Sequence, residues 1–340
     1  MVDRSSGTNH MVRMRILIVS LLLLVGLSSM AHADAADPEV EARAYAPAYE
    51  NPGPPPFPAY NAPNAAKLAL GKRLFFDERL SFDRKTSCAT CHRPNAGFED
   101  SVPLALNARG DKSNVHTPTI WGLAWATRFG WAGRKPTIEA VILGALAHSH
   151  GFEGDLMEVS AFLDRDEELT VLAHQAFPGK SMGSDAVVLA IAAYTRTLTG
   201  GETAFDAWVA GDIDAINASQ KRGFVVFNEQ AGCAVCHDGW TFTDHAVHDV
   251  GLTARHRGDL VMTKTPTLRD VARRAPYLHD GRAADLASVI QHYNEGRRAR
   301  ETVHPAIQPL GLSAIDQKDL IAFLNTLTEP VSTTTLPPAQ

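Results

Sequence analysis

Ser87-Cys88-Ala89-Thr90-Cys91-His92 and Gly232-Cys233-Ala234-Val235-Cys236-His237 hold all four cysteines of the chain, in two C-x-x-C-H patterns. Two cysteines three residues apart lie about one helical turn apart, so each can form a thioether to one vinyl group of the same haem. The histidine that follows then reaches back under the ring to bind iron axially. A zinc site needs further ligands at suitable spacing, and a redox C-x-x-C does not need the histidine. A disulfide framework is conceivable in an exported protein, but it leaves the paired histidines unexplained. The spacing therefore predicts one covalent haem c at Cys88, Cys91 and His92, and a second at Cys233, Cys236 and His237.

Export is read from the first residues. Arg13 and Arg15 precede the apolar run Ile16–Leu27, and Ala31-His32-Ala33 supplies the small-residue pattern of a cleavage site. Residues 1–33 read as a signal peptide, which places the mature protein in the periplasm. No later stretch is long and apolar enough to span a membrane. The formal charge of −6 leaves no basic footprint for nucleic acid.

Residues 34–63, rich in Ala and Pro, read as an extended lead-in without a fold of its own, and 331–340 as a flexible tail. Between them, apolar residues recur at helical spacing over 65–76, 185–198, 219–228, 284–294 and 313–327. Long Gly-, Pro- and Asn-rich loops separate these helices, as expected where a large cofactor supplies part of the core. The segment His116 to Ala145 aligns without a gap on Lys264 to Tyr293 at a constant offset of 148. Thr117-Pro118-Thr119 meets Thr265-Pro266-Thr267, and Gly133-Arg134 meets Gly281-Arg282. The expected fold is mainly α: two copies of one domain related by an internal repeat, 64–200 and 201–330, each with one covalent haem and long loops.

The repeat also bears on the second axial position of each iron. Tyr293 ends the aligned block in the second half, where the first half has Ala145. A side chain able to ligate iron in one copy is a methyl group in the other. An occupied second haem and an open first haem follow as a hypothesis. Tyr293 packed simply on its helix is the plain alternative, and a di-haem electron carrier, capped at the first iron by His148 or Met157, is the rival for the whole chain.

Leu70-Gly71-Lys72-Arg73-Leu74-Phe75-Phe76-Asp77, the first C-x-x-C-H, Thr265-Pro266-Thr267-Leu268-Arg269-Asp270-Val271 and Ala275-Pro276-Tyr277-Leu278-His279-Asp280-Gly281-Arg282 resemble the bacterial di-haem cytochrome c peroxidase and MauG family. The resemblance runs from about Ala65 to Leu327 and implies two cytochrome c-like α-helical domains. It implies an N-terminal haem that reacts with hydrogen peroxide and a C-terminal haem that relays electrons from a small periplasmic donor, a cytochrome c or a cupredoxin. It also implies His92 and His237 as proximal ligands, Trp131 between the haems, and a homodimer. Tyr293 falls where peroxidase members place methionine and MauG-like members place tyrosine, a harder ligand that favours ferric iron.

The chain departs from the family pattern elsewhere. Many members carry a histidine after the first haem motif that blocks that haem; Arg93 to Val115 contains none. The family's inter-domain calcium site uses an asparagine at the position of His116, with carbonyls matching Arg274 and Pro276. Histidine suits a hard cation poorly, so calcium stays open. The family's distal glutamate has no direct match: Glu153 and His150 are the candidates for the acid–base group. Ala231 stands where quinone-forming MauG proteins have a surface tryptophan, which weighs against a protein-modifying oxidase and for a peroxidase.

Overall fold

The computed structural model describes residues 37–150, 165–179, 183–252, 262–296 and 300–330. Residues 1–33, read above as a signal peptide, lie outside the described residues, as do Glu153, Met157 and 331–340. The fold is mainly helical. Two helix pairs organise it: α2 (Ala65–Phe75) with α6 (Ser184–Arg196), and α8 (Ala218–Asn228) with α10 (Ala314–Asn325). Three of the four starts are set by a polar side-chain cap, and α6 begins at Gly183 without one. The Asn64 side chain accepts from the Lys67 amide, while Asn217 with Gln220 and Ser313 with Asp316 form capping boxes.

Both pairs close on a glycine. A Cβ on Gly71 would run into the Ala190 carbonyl and Tyr194, and one on Gly223 into the Asp319 carbonyl and Phe323. The backbones approach because no side chain keeps them apart. Leu70, Leu74, Phe75, Val187 and Ile191 centre one apolar cluster. Phe205, Trp208, Phe224, Phe242 and Phe323 centre the other, packed largely edge to face. Among the described residues the sheet is a single two-stranded ribbon: β1 (Val247–Asp249) runs antiparallel to β2 (Met262–Lys264), with Val247 opposite Lys264.

Shorter helices complete the frame: α3 (Cys88–Cys91), α4 (Ile138–Gly144), α5 (Glu167–Ala176), α7 (Ala204–Val209) and α9 (Leu286–Glu295). Backbone details recur at the spacing of 148. The bridge Phe129–Lys135 has a counterpart in Tyr277–Ala283, and Gly130 and Gly133 share left-handed φ with Leu278 and Gly281. Thr137 caps α4 where Asp285 caps α9.

The lead-in reading of 34–63 needs correction. Pro38–Tyr45 forms α1, capped by Asp37 and started by proline, and a 3-10 turn follows over Ala46–Tyr49. Ala42, Ala46 and Tyr49 are buried in the second cluster, with the Tyr49 ring against Phe205, Phe224 and Phe242. Asn61 then bonds Glu139 and the Leu189 carbonyl beside the first cluster. The arm ties both halves together. Its Ala and Pro content hid a short helix whose stability comes from tertiary packing.

Gly71→Ala and Gly223→Ala are each expected to cost about 1–3 kcal/mol or more by overpacking. The check is a lowered melting midpoint in scanning calorimetry.

Candidate functional site

Each C-x-x-C-H folds into one tight turn that ends on its histidine. In the first, the Ser87 amide donates to Thr90 Oγ1 at 3.0 Å and the His92 amide to the Cys88 carbonyl at 2.9 Å. In the second, the His237 amide donates to the Cys233 carbonyl at 2.9 Å. His92 Nδ1 then donates to the Phe98 carbonyl, and His237 Nδ1 to the Phe242 carbonyl, both at 3.0 Å. Phe98 and Phe242 sit at positive φ, 62° and 51°, turning their carbonyls back toward the rings. Burial lowers the pKa of both imidazoles, that of His237 to about 4. Each ring is thus neutral, with Nδ1 occupied and Nε2 left as a lone-pair donor, the arrangement a metal-ligating histidine requires.

The cysteines are unpaired, and burial pushes the Cys88 and Cys233 thiols up to about 12. A redox C-x-x-C lowers a thiol pKa instead. Among the described residues one cluster has three close metal-type donors, Cys236, Asp244 and His248. It uses neither Cys233 nor His237 and has no counterpart at Cys88, so zinc does not explain the motifs.

Two clefts of about 1350 and 1410 Å³, both partly open to solvent, meet these motifs. Cys88, Cys91 and His92 line the first, with Phe75, Ile138 and Ile142 among its apolar walls. Cys233, Cys236 and His237 line the second, with Leu268, Ile290 and Leu324. Apolar walls, two cysteines at the edge and a neutral imidazole suit a covalently held haem in each.

The clefts differ in their remaining chemistry. Tyr293, on α9, lines the second together with His237, and burial raises its hydroxyl pKa. The His292 ring contacts it at 5.1 Å and donates from Nε2 to the Val250 carbonyl. In the first cleft the corresponding position is Ala145, where helix α4 passes into a π turn over Ala145–Ser149. That wider turn ends at His150. His150 is buried, donates from Nδ1 to the Leu80 carbonyl at 2.8 Å, and has its pKa lowered by burial. His148 also reaches this cleft but is exposed.

Trp131 lies between the clefts. It lines the second, and with His92 it lines a smaller cavity beside the first. Its indole N–H donates to the His116 carbonyl at 2.7 Å, its own carbonyl accepts from the Lys264 amide at 2.7 Å, and its ring meets His279 at 6.4 Å. The sequence reading missed a second aromatic group, Trp121, Trp125 and Trp240, whose rings are in contact. The Arg269 guanidinium lies 4.9 Å from the Trp240 centroid and 5.7 Å from that of Trp121. A cation there makes electron removal from those two rings harder.

At the position considered for calcium, both His116 nitrogens are taken. Nδ1 meets the Val102 carbonyl at 2.6 Å and Nε2 meets Glu99 Oε2 at 2.7 Å. The Arg274 guanidinium holds Glu99 Oε1 at 3.2 Å. This donor set does not suit a hard cation.

A family model described as "Di-haem cytochrome c peroxidase" matches residues 65–214. The methylamine utilization protein MauG of Methylophilus methylotrophus is 38% identical over 82% of this chain and 87% of its own length. The cytochrome c551 peroxidase of Pseudomonas aeruginosa is 29% identical over 76% and 77%. A solved MauG-like protein associated with microbial copper homeostasis superposes with a TM-score of 0.76 at 27% identity, covering 82% of this chain and 93% of that one. The chain belongs to the di-haem cytochrome c peroxidase and MauG family.

Proposed function

We propose that the chain is a periplasmic di-haem peroxidase, built from two copies of one cytochrome c-like unit, that reduces hydrogen peroxide with electrons from a small redox protein. The supporting observation is the asymmetry of the two clefts: His237 shares its cleft with Tyr293, while the cleft of His92 has Ala145 at the corresponding place. A haem with one open axial position binds and activates peroxide, and one with two protein ligands passes electrons. The first cleft is then the reacting site and the second the relay.

The protein's own groups supply the rest. His92 and His237 present neutral Nε2 atoms, held by the Phe98 and Phe242 carbonyls. His150, neutral and anchored through Nδ1, keeps Nε2 to take a proton from one peroxide oxygen and return it to the other. Glu153 is the alternative for that role. Trp131 carries electrons between the clefts. The balance is two electrons and two protons per peroxide, giving two waters, with the donor oxidised one electron at a time. A second reading, oxidation of a partner protein, is favoured by Tyr293 and by MauG relatives at 38% and 37% identity. Ala231, buried beside the second cysteine pair, offers no aromatic ring for such a route.

Replacing Cys88 and Cys91 by alanine is expected to leave one covalent haem per chain, as is replacing Cys233 and Cys236; intact mass after acid denaturation checks both.

Electron paramagnetic resonance of the oxidised holoprotein is expected to give one high-spin and one low-spin ferric signal, and peroxide to oxidise a reduced cytochrome c or cupredoxin. Two low-spin signals with no response to peroxide would instead make the protein a carrier. Peroxide use with no donor oxidation, but with oxidised residues on a partner, would favour the second reading.

His150→Ala is expected to slow the peroxide reaction about 10²–10⁴-fold, measured by stopped flow, with His148→Ala near wild type. The same loss in Glu153→Gln alone would move the acid–base role to Glu153.

A further inference from the structure

Glu99, His116 and Arg274 come from three separate segments and meet away from solvent, at 5%, 1% and 4% exposure. Neither partner of the His116 ring, the Val102 carbonyl or the Glu99 carboxylate, has a proton to give. Both ring nitrogens must therefore donate, and the ring is an imidazolium. Burial pulls its pKa down, but the bond and charge of Glu99 outweigh that and raise it overall. Arg274 adds a second cation, on Glu99 and the Thr267 carbonyl. Asp100, 3.7 Å from His116 Nδ1, accepts from the Thr117 hydroxyl and the Val102 amide and completes the balance. Two buried cations thus face two buried carboxylates.

The cluster leaves little for an external cation. Both Glu99 oxygens are engaged, as are the Val102 and Thr267 carbonyls, and the His116 carbonyl receives the Trp131 indole N–H. A divalent ion would have to displace a protonated side chain and add charge to a balanced site. His116 also acts on Trp131 directly: its carbonyl holds the indole while its amide donates to the His279 carbonyl at 2.7 Å.

We infer that His116 is a positioning residue that, as a built-in cation between Glu99 and the Val102 carbonyl, takes the place of a structural divalent ion and fixes Trp131 between the two clefts. The inference holds whichever substrate the first cleft takes.

The test uses the haem-loaded protein. Metal content is measured after equilibration with calcium and gel filtration. Melting midpoint and the two haem reduction potentials are measured with and without EDTA. Wild type is expected to keep no stoichiometric calcium and to ignore EDTA in midpoint and potentials. His116→Asn removes the cation and leaves a side-chain oxygen; it is expected to lower the midpoint and shift the potentials, and calcium to restore both. Stoichiometric calcium on wild type, or a wild-type midpoint that falls in EDTA, overturns the inference. So does a His116→Asn protein with wild-type midpoint and potentials, or one that calcium does not restore. If that variant does not fold, Glu99→Gln replaces it: a lowered midpoint with shifted potentials is expected, and unchanged values overturn the inference.

Discussion

A histidine that binds a metal must keep one ring nitrogen free of protons and hold it still, and here a single backbone carbonyl does both in each half. Phe98 and Phe242 aim their carbonyls at Nδ1 of His92 and His237 from left-handed conformations. A non-glycine residue held there costs on the order of 1–3 kcal/mol. The surrounding structure sustains it: the Phe242 ring is buried among Tyr49, Phe205, Phe227 and Phe323. The tautomer of His237 thus depends on the packing of an aromatic cluster, to which Tyr49 of the N-terminal arm contributes.

The two halves use similar frames for different ends. Glycine-closed helix pairs and recurring turns give both clefts the same general shape. What separates them is local. α9 runs on as a regular helix through Tyr293, whereas the first half meets its corresponding position at a π turn that ends on His150. One extra residue in a helical turn re-aims the side chains that follow it. The first cleft thus has a methyl group at Ala145 where the second has the Tyr293 ring, and the π turn brings the His150 imidazole to its wall.

Buried charge is handled by pairing, across the halves in one group and within the second half in another. Glu99, His116 and Arg274 form a buried group, and Arg269 is held to Asp206 at 2.7 Å beneath Trp240. Removing one member of such a group costs about 3–5 kcal/mol because it strands the other. These pairs therefore add register more than net stability. Trp131 and Trp240 lie directly against these groups, on the His116 carbonyl and the Arg269 guanidinium.

Much of this was legible in the chain itself. The C-x-x-C-H spacing, the repeat at an offset of 148 and the apolar periodicity that predicts helices near 65–76, 185–198, 219–228, 284–294 and 313–327 are local patterns. The helices observed begin and end within about two residues of those bounds. The contrast of Tyr293 with Ala145 was also plain in the alignment, and each of the two lines the cleft of its own half. The helix over Pro38–Tyr45 was not legible, because its stability comes from a cluster contributed by residues more than 150 positions away. Nor was the fit of His116, whose charge depends on Glu99 and the Val102 carbonyl meeting its two nitrogens, or the path of His150 into the first cleft. A sequence states which groups can bind a proton or a metal. Which of them do so is decided by burial and by the partners that folding brings within hydrogen-bond distance.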